Sequence, residues 1–186
     1  MKALLKSLAV LGLLGLTAGT GQASEAAASY PTRPLQIVVP YPPGGSADVL
    51  ARTLGDYLGR ALKQSVVVSN KPGAGTAIGA RAVAQSPADG YTLMLGTVSS
   101  HAMNPALARN IGYDPVKDFT AVAPLATIPF VLLAHPKLEA RSMAELIDLA
   151  RKQPGKINFS SAGNGTSNHL AGEMLKVMAG VNMLHV

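Results

Sequence analysis

A chain of 186 residues without cysteine has no disulfide framework, no thiolate chemistry and no lipidated cysteine, so its stability rests on packing. Its formal charge of +6 comes from Lys and Arg scattered singly, Arg151-Lys152 being the one adjacent pair, and aromatics make up 4%. That argues against a nucleic-acid face, which needs clustered basic residues or stacking rings, and leaves a mild bias toward anionic ligands.

The chain opens with Met1, Lys2 and Lys6 ahead of the apolar run Leu8 to Leu16, shorter than the roughly 20 apolar residues a bilayer requires. Small residues follow at Ala23 and at Ala26-Ala27-Ala28, the layout of a secretory signal peptide over residues 1–28 with cleavage after Ala23 or Ala28. An N-terminal core helix would rarely need lysines before it and cleavable small residues after it. Removing 28 of 186 residues leaves 158, room for one domain or for one and part of a second.

Leu35-Gln36-Ile37-Val38-Val39 is β-branched and bounded by prolines, which predicts a buried strand. Gly44-Gly45 ends it, and apolar residues at Leu50, Leu54, Leu58 and Ala61-Leu62 predict a helix with Ser46 as N-cap and Asp48 in the first turn. Val66-Val67-Val68 predicts a second strand, Pro72 to Gly75 a turn, Thr76 to Gln85 an alanine-rich helix, and Tyr91 to Thr97 a third strand. A polar turn, Val98-Ser99-Ser100-His101, and a short helix near Pro105-Ala106-Leu107 come next. Strands alternating with helices imply an α/β chain with a mainly parallel sheet.

Thr120 to His135 is almost continuously apolar, but Pro124 and Pro129 predict two extended pieces, a candidate crossing between lobes. Ser142-Met143-Ala144-Glu145 has the form of a capping box, opening a helix that Pro154-Gly155 stops. Ile157 to Ser160 predicts a strand, Ser161 to Ser167 a turn, and Leu170, Met174, Leu175 and Met178 a helix face. Val181 to Val186 begins another strand.

The glycine stretches do not make a nucleotide site. Gly73-Ala74-Gly75-Thr76-Ala77-Ile78-Gly79 is one residue too long for the dinucleotide fingerprint, and no glycine pair leads to Lys-Ser or Lys-Thr. The turn at Gly44-Gly45 sits between a strand and a helix start, where unpaired amides and the helix dipole favour an anion. The alternative is a tight βα connection that uses glycine only for backbone freedom. Asp48 competes for the same positive end, and either caps its own helix or receives a ligand amine or hydroxyl. Small hydroxyl residues and glycines recur after two other strands, at Ser99-Ser100-His101 and from Ser160 to Ser167, and open α/β sheets bind ligands beside such strand ends. No Gly-x-Ser-x-Gly elbow occurs and no spacing assigns a histidine to Ser46, which leaves a serine hydrolase as a distant alternative. His101, His135, His169 and His185 lack metal-ligand spacing, so neither a metal nor a cofactor is expected.

Six blocks then stand together: Tyr30-Pro31-Thr32-Arg33-Pro34, VVPYPPGGSADVLAR from Val38 to Arg52, NKPGAG from Asn70 to Gly75, DGYTLMLGT from Asp89 to Thr97, YDPVKDF from Tyr113 to Phe119, and SSAGNGTSNHLAGE from Ser160 to Glu173. In that order the chain resembles the extracytoplasmic solute receptors of the tripartite tricarboxylate transporter family, the Bug receptors. The resemblance implies a type II periplasmic-binding-protein-like two-lobed fold, with lobe 1 over residues 29–123 and lobe 2, incomplete, over 124–186. It implies a periplasmic receptor, not an enzyme, that binds a small organic acid (a di- or tricarboxylate, an amino acid or an aromatic acid) and delivers it to two integral membrane subunits. No catalytic residue and no nucleic acid is involved. By similarity Gly44, Gly45, Ser46 and Asp48 lie in the first binding turn and Thr97, Ser99 and His101 in the second, while Ser160, Ser161, Gly163, Thr166 and His169 come from the opposite lobe. Tyr41 stands where phenylalanine is more usual. The resemblance also implies that further chain, starting from a Pro-Tyr-Lys-Gly-like stretch, follows the equivalent of Val186. A receptor presenting its ligand to a membrane sensor kinase is the other binding role considered.

Energetics set an expectation for this chain alone. A carboxylate at a helix terminus gains up to about 2 kcal/mol from the dipole and roughly 1.5 to 3 from each charge-assisted hydrogen bond. Micromolar affinity needs about 8 kcal/mol net of several kcal/mol of lost ligand freedom. One turn does not reach that, so weak binding or none is expected of the 186 residues by themselves.

Overall fold

The computed structural model describes residues 30–186; the expected signal peptide lies outside the described residues. Three parallel strands form the first sheet: β1 (Leu35–Val39), β2 (Val66–Asn70) and β3 (Thr92–Met94), in the order β2-β1-β3. Leu35 pairs with Val66, and Ile37 sits between Val68 and Leu93. Helix α1 (Ser46–Leu62) joins β1 to β2, and α2 (Ala77–Ala84) joins β2 to β3. The crossover from β1 to β2 moves one way across the sheet and that from β2 to β3 moves back past β1 the other way, so right-handed connections require the helices to cover opposite faces. On the α1 face Ile37, Val39 and Ala51 form the buried core, with Leu54, Leu58, Val66, Val68 and Leu93 packed against it.

On the α2 face the approach is closer. A Cβ on Gly79 would lie 2.8 Å from both the Lys71 carbonyl and the Pro40 side chain, so glycine is what lets this helix reach the sheet. The helix starts at Ala77, one residue later than the sequence predicts, because Thr76 is held at φ +88°. Buried Asn104 fixes that kink, its Nδ2 donating to the Gly75 carbonyl at 2.8 Å and lying 3.3 Å from the Thr76 hydroxyl.

Beyond β3, Ser99–Met103 forms a π-helical turn running directly into α3 (Asn104–Leu107), where the sequence predicts an irregular polar turn. Thr97 Oγ1 and the Tyr113 hydroxyl, which donates to the Ser100 carbonyl at 2.5 Å, flank this wide turn. The apolar stretch from Thr120 to Leu133 carries no helix and pairs with no strand among the described residues, and Val122 and Leu133 are more than four-fifths exposed.

A second, smaller sheet pairs β4 (Asn158–Phe159) with β5 (Leu184–His185) in parallel, Phe159 opposite His185. Helices α4 (Met143–Lys152) and α5 (Ser167–Ala179) accompany it. The capping box forms, with the Glu145 amide donating to Ser142 Oγ at 3.2 Å. Its return bond goes one residue further back, from the Arg141 amide to Glu145 Oε2 at 2.6 Å. Both strands are shorter than predicted, two residues each.

Candidate functional site

In an open parallel sheet the crevice for a ligand lies at the carboxyl ends of the strands where the strand order reverses. Here that point is between β1 and β3, and the segments leaving it are Tyr41 to Ala47 and Thr97 to Ser99. A cavity of about 790 Å³ opens there, closed on the far side by Ala162 in the turn before α5 and by Ser167 and Asn168 at its start, and along one wall by residues 126–131.

The first turn is shaped by Asp48. Its carboxylate is buried and accepts from the Gly44 amide at 2.8 Å, Arg52 Nε at 3.0 Å and Asn70 Nδ2 at 2.9 Å, and Asn70 Nδ2 lies 3.1 Å from the Tyr41 carbonyl. The Arg52 bond, then the Gly44 amide and Asn70, hold its pKa down at about 2 against the opposing effect of burial. Asp48 is therefore an ionised clamp that ties β1, β2 and α1 together and takes the Gly44 amide. Gly44 needs to be glycine for its φ of +88°, not for space. The N-cap is Gly45, not Ser46, and it supplies no side-chain acceptor. Among the described residues no group accepts from the amides of Gly45, Ser46 or Ala47, and all three residues line the cavity.

In the second turn Thr97 faces the cavity. Ser99 is fully buried and its hydroxyl is saturated: Tyr41 donates to it at 3.0 Å, the Ser167 amide donates to it at 3.0 Å, and it donates to Ser167 Oγ at 3.2 Å. Ser99 thus links the first sheet to the first turn of α5. The Tyr41 hydroxyl also lies 3.1 Å from Thr97 Oγ1. His101 turns away into a second cavity, its Nδ1 2.8 Å from Ser100 Oγ and its ring edge-on to Phe119 at 4.8 Å. Burial lowers its pKa, which keeps the imidazole neutral at pH 7.

The third turn is largely scaffold. Ser161 Oγ lies 2.8 Å from His185 Nε2 and receives the Gly163 amide at 3.1 Å. Thr166 is buried, donates to the Gly163 carbonyl at 2.6 Å and caps α5 by accepting from the His169 amide at 3.4 Å. His169 accepts from the Gly165 amide at 3.2 Å and packs 4.1 Å from the His185 ring. None of Ser160, Ser161, Gly163, Thr166 or His169 lines the cavity; their neighbours Ala162, Ser167 and Asn168 do. Of the twelve residues singled out from the sequence, the structure brings Gly45, Ser46 and Thr97 to the cavity wall, with Gly44, Asp48, Ser99 and Thr166 behind it. What sequence reasoning missed is mainly apolar: Val98, Met103 and the wall at Ile128 and Phe130. Only the apolar run from Thr120 carried a signal for these.

No cluster of three or more acidic or histidine side chains suited to a metal occurs among the described residues, and no helix there is long and apolar enough to cross a membrane.

Comparison with known proteins places this geometry. Protein BugT of Bordetella pertussis is 41% identical over 180 residues, covering 95% of this chain and 55% of its own. The solved structure of R. palustris Rpa4515 with adipate is 39% identical with a TM-score of 0.81, covering 84% of this chain and 52% of that one. MatC (Rpa3494) from Rhodopseudomonas palustris with bound malate is 30% identical with a TM-score of 0.78, covering 84% and 53%. The chain spans about half the length of the curated relatives it matches. Its parallel sheets and helices are part of the two-lobed fold of periplasmic binding proteins, a group of binding proteins and not of enzymes. Residues 50–186 match the tripartite tricarboxylate transporter family receptor, and the chain belongs to that family.

Proposed function

We propose that this chain forms the ligand-binding part of a periplasmic receptor that takes up a small organic carboxylate and delivers it to the two integral membrane subunits of a tripartite tricarboxylate-type transporter. The observation that carries this is that Gly45, Ser46 and Ala47, whose amides have no acceptor among the described residues, line a cavity at the reversal of strand order, in a family with adipate- and malate-bound neighbours. Amides at the start of a 17-residue helix stabilise a carboxylate through hydrogen bonds and the helix dipole without any cation. Thr97 adds a hydroxyl. Lobe 1 over residues 29–123 and lobe 2 over 124–186 would close on the ligand through the Ser99–Ser167 contact, and residues 1–28 would direct export and be cleaved after Ala23 or Ala28.

The test is a thermal-shift screen of organic acids on the full-length receptor. A ligand at 100 times its dissociation constant adds about 2.7 kcal/mol to stability, a readily measured shift. No shift from any acid would remove the proposal.

A further inference from the structure

Behind the far side of the cavity, two histidines hold the turn from Ser161 to Thr166. His169 Nδ1 lies 3.2 Å from the Gly165 amide, and because that partner is an N–H, Nδ1 is a bare acceptor and the proton of the neutral ring sits on Nε2. His185, opposite Phe159 on β5, places Nε2 2.8 Å from Ser161 Oγ, a hydroxyl that accepts or donates as required. The two imidazoles lie 4.1 Å apart, and the His169 ring runs nearly parallel to Phe159. Gly165 also meets the first sheet's side of the molecule. A Cβ on Gly75 would lie 3.1 Å from the Gly165 carbonyl carbon and oxygen, so the position of Gly165 fixes how this turn meets the turn after β2. Its neighbours Ala162, Ser167 and Asn168 line the cavity.

We propose that His169 is a positioning residue for the ligand: its unprotonated Nδ1 pins the Gly165 amide, and with it the wall formed by Ala162, Ser167 and Asn168, and a proton on Nδ1 releases the pin. Once protonated, Nδ1 is a donor facing a donor, whereas His185 keeps its bond to Ser161 in either state. The charged and titratable groups around the ring are few. On its own helix Glu173 Oε1 stands 3.7 Å from Nε2, and Lys176, 2.9 Å from that carboxylate, holds the Glu173 carboxyl below its usual range. From β5 comes His185, while β4 and the turn from Ser161 to Thr166 supply no charged group. Glu173 favours a proton on His169; Lys176, the His185 ring and partial burial oppose it. The effect on ligand affinity rests on the receptor function proposed above; the pin itself does not.

The test is an NMR pH titration of the isotope-labelled protein, with hydrogen exchange read at the Gly165 amide. The neutral His169 ring should show the Nε2–H tautomer. As that ring takes up its proton, the Gly165 protection factor should fall about fivefold, equivalent to about 1 kcal/mol, and the Ser167 and Asn168 amides should shift with the same midpoint. His169→Asn offers Gly165 a side-chain oxygen at every pH and should abolish the fall, whereas His185→Gln should retain it. An Nδ1–H tautomer in the neutral ring, Gly165 protection that ignores the His169 titration, or a fall that survives His169→Asn or vanishes with His185→Gln would overturn the proposal. The ligand arm uses adipate on the full-length receptor at pH 8. There His169→Leu should weaken binding about fivefold and His169→Asn should recover most of the loss. Undiminished affinity in His169→Leu, with its Gly165 amide unprotected, would overturn the link between the pin and the ligand. Adipate binding to none of the three proteins would count against the carboxylate reading, and the Gly165 titration would still decide the pin.

Discussion

Replacing Ser99 by alanine removes the hydroxyl on which the first turn, the second turn and α5 converge. Three hydrogen bonds are lost, but the consequences differ by partner. The Tyr41 hydroxyl keeps Thr97 Oγ1 at 3.1 Å, and Ser167 Oγ is close enough to the surface to turn to water. The Ser167 amide has no second acceptor, and an unsatisfied, partly buried donor costs about 1–3 kcal/mol. Ser99→Ala should therefore destabilise the protein by about 2 kcal/mol, which moves a urea midpoint by about 1 M for a slope near 2 kcal/mol per M. Amide hydrogen exchange localises the effect: the Ser167 amide should lose about 30-fold in protection. Tyr41→Phe should cost about 1 kcal/mol or less, and its effect should shrink in the Ser99→Ala background because the two share a bond. A loss below about 0.5 kcal/mol with Ser167 protection unchanged would refute the claim that Ser99 bridges the two sheets' turns.

Other outcomes follow from the same contacts. Asp48 has a folded pKa of about 2 against an ordinary value of 3.8, so the unfolded chain binds more protons between those values and stability is lost as pH falls from about 4 to 2. Asp48→Asn should flatten that limb of an acid-unfolding curve, and an unaltered curve would show that the clamp contributes nothing. Burial lowers the His101 pKa below 6.5, so its contribution is present above that pH and lost as pH falls through the folded value. An NMR titration should give His101 a midpoint under 6.5, and a midpoint above it would mean the ring is solvated. Gly79→Ala drives a methyl group into Lys71 and Pro40 and should cost about 1–3 kcal/mol in a denaturant titration, whereas an unchanged midpoint would mean α2 can shift freely.

The parts of the fold set by local pattern were legible in the sequence. The apolar spacing through Leu50, Leu54 and Leu58 marks α1 to its observed end at Leu62, and Ser142 with Glu145 marks the start of α4. The elements that shifted depend on distant partners. Thr76 looks helical by composition and is pulled out of the helix beside buried Asn104, and the turn after β3 widens beside Tyr113, residues whose positions along the chain reveal nothing of these contacts. The same holds for the site. Glycines and hydroxyls pointed to three turns; of the residues they singled out, Gly45, Ser46 and Thr97 line the cavity, whereas Asp48, Ser99 and Thr166 hold the backbone behind it. Asp48 reads as a candidate ligand group until Asn70, far along the chain, is seen to occupy it.

The most direct measurement is a two-dimensional amide spectrum of the labelled protein during titration with a small organic acid such as adipate, the ligand of one solved neighbour. The amides of Gly45, Ser46 and Ala47 should shift together and saturate at one ligand concentration, while the Gly44 amide, already donating to Asp48, stays in place. Shifts confined to the second cavity around His101, or no shift in the three amides at a concentration where the ligand signal reports binding, would contradict a carboxylate seat at the start of α1.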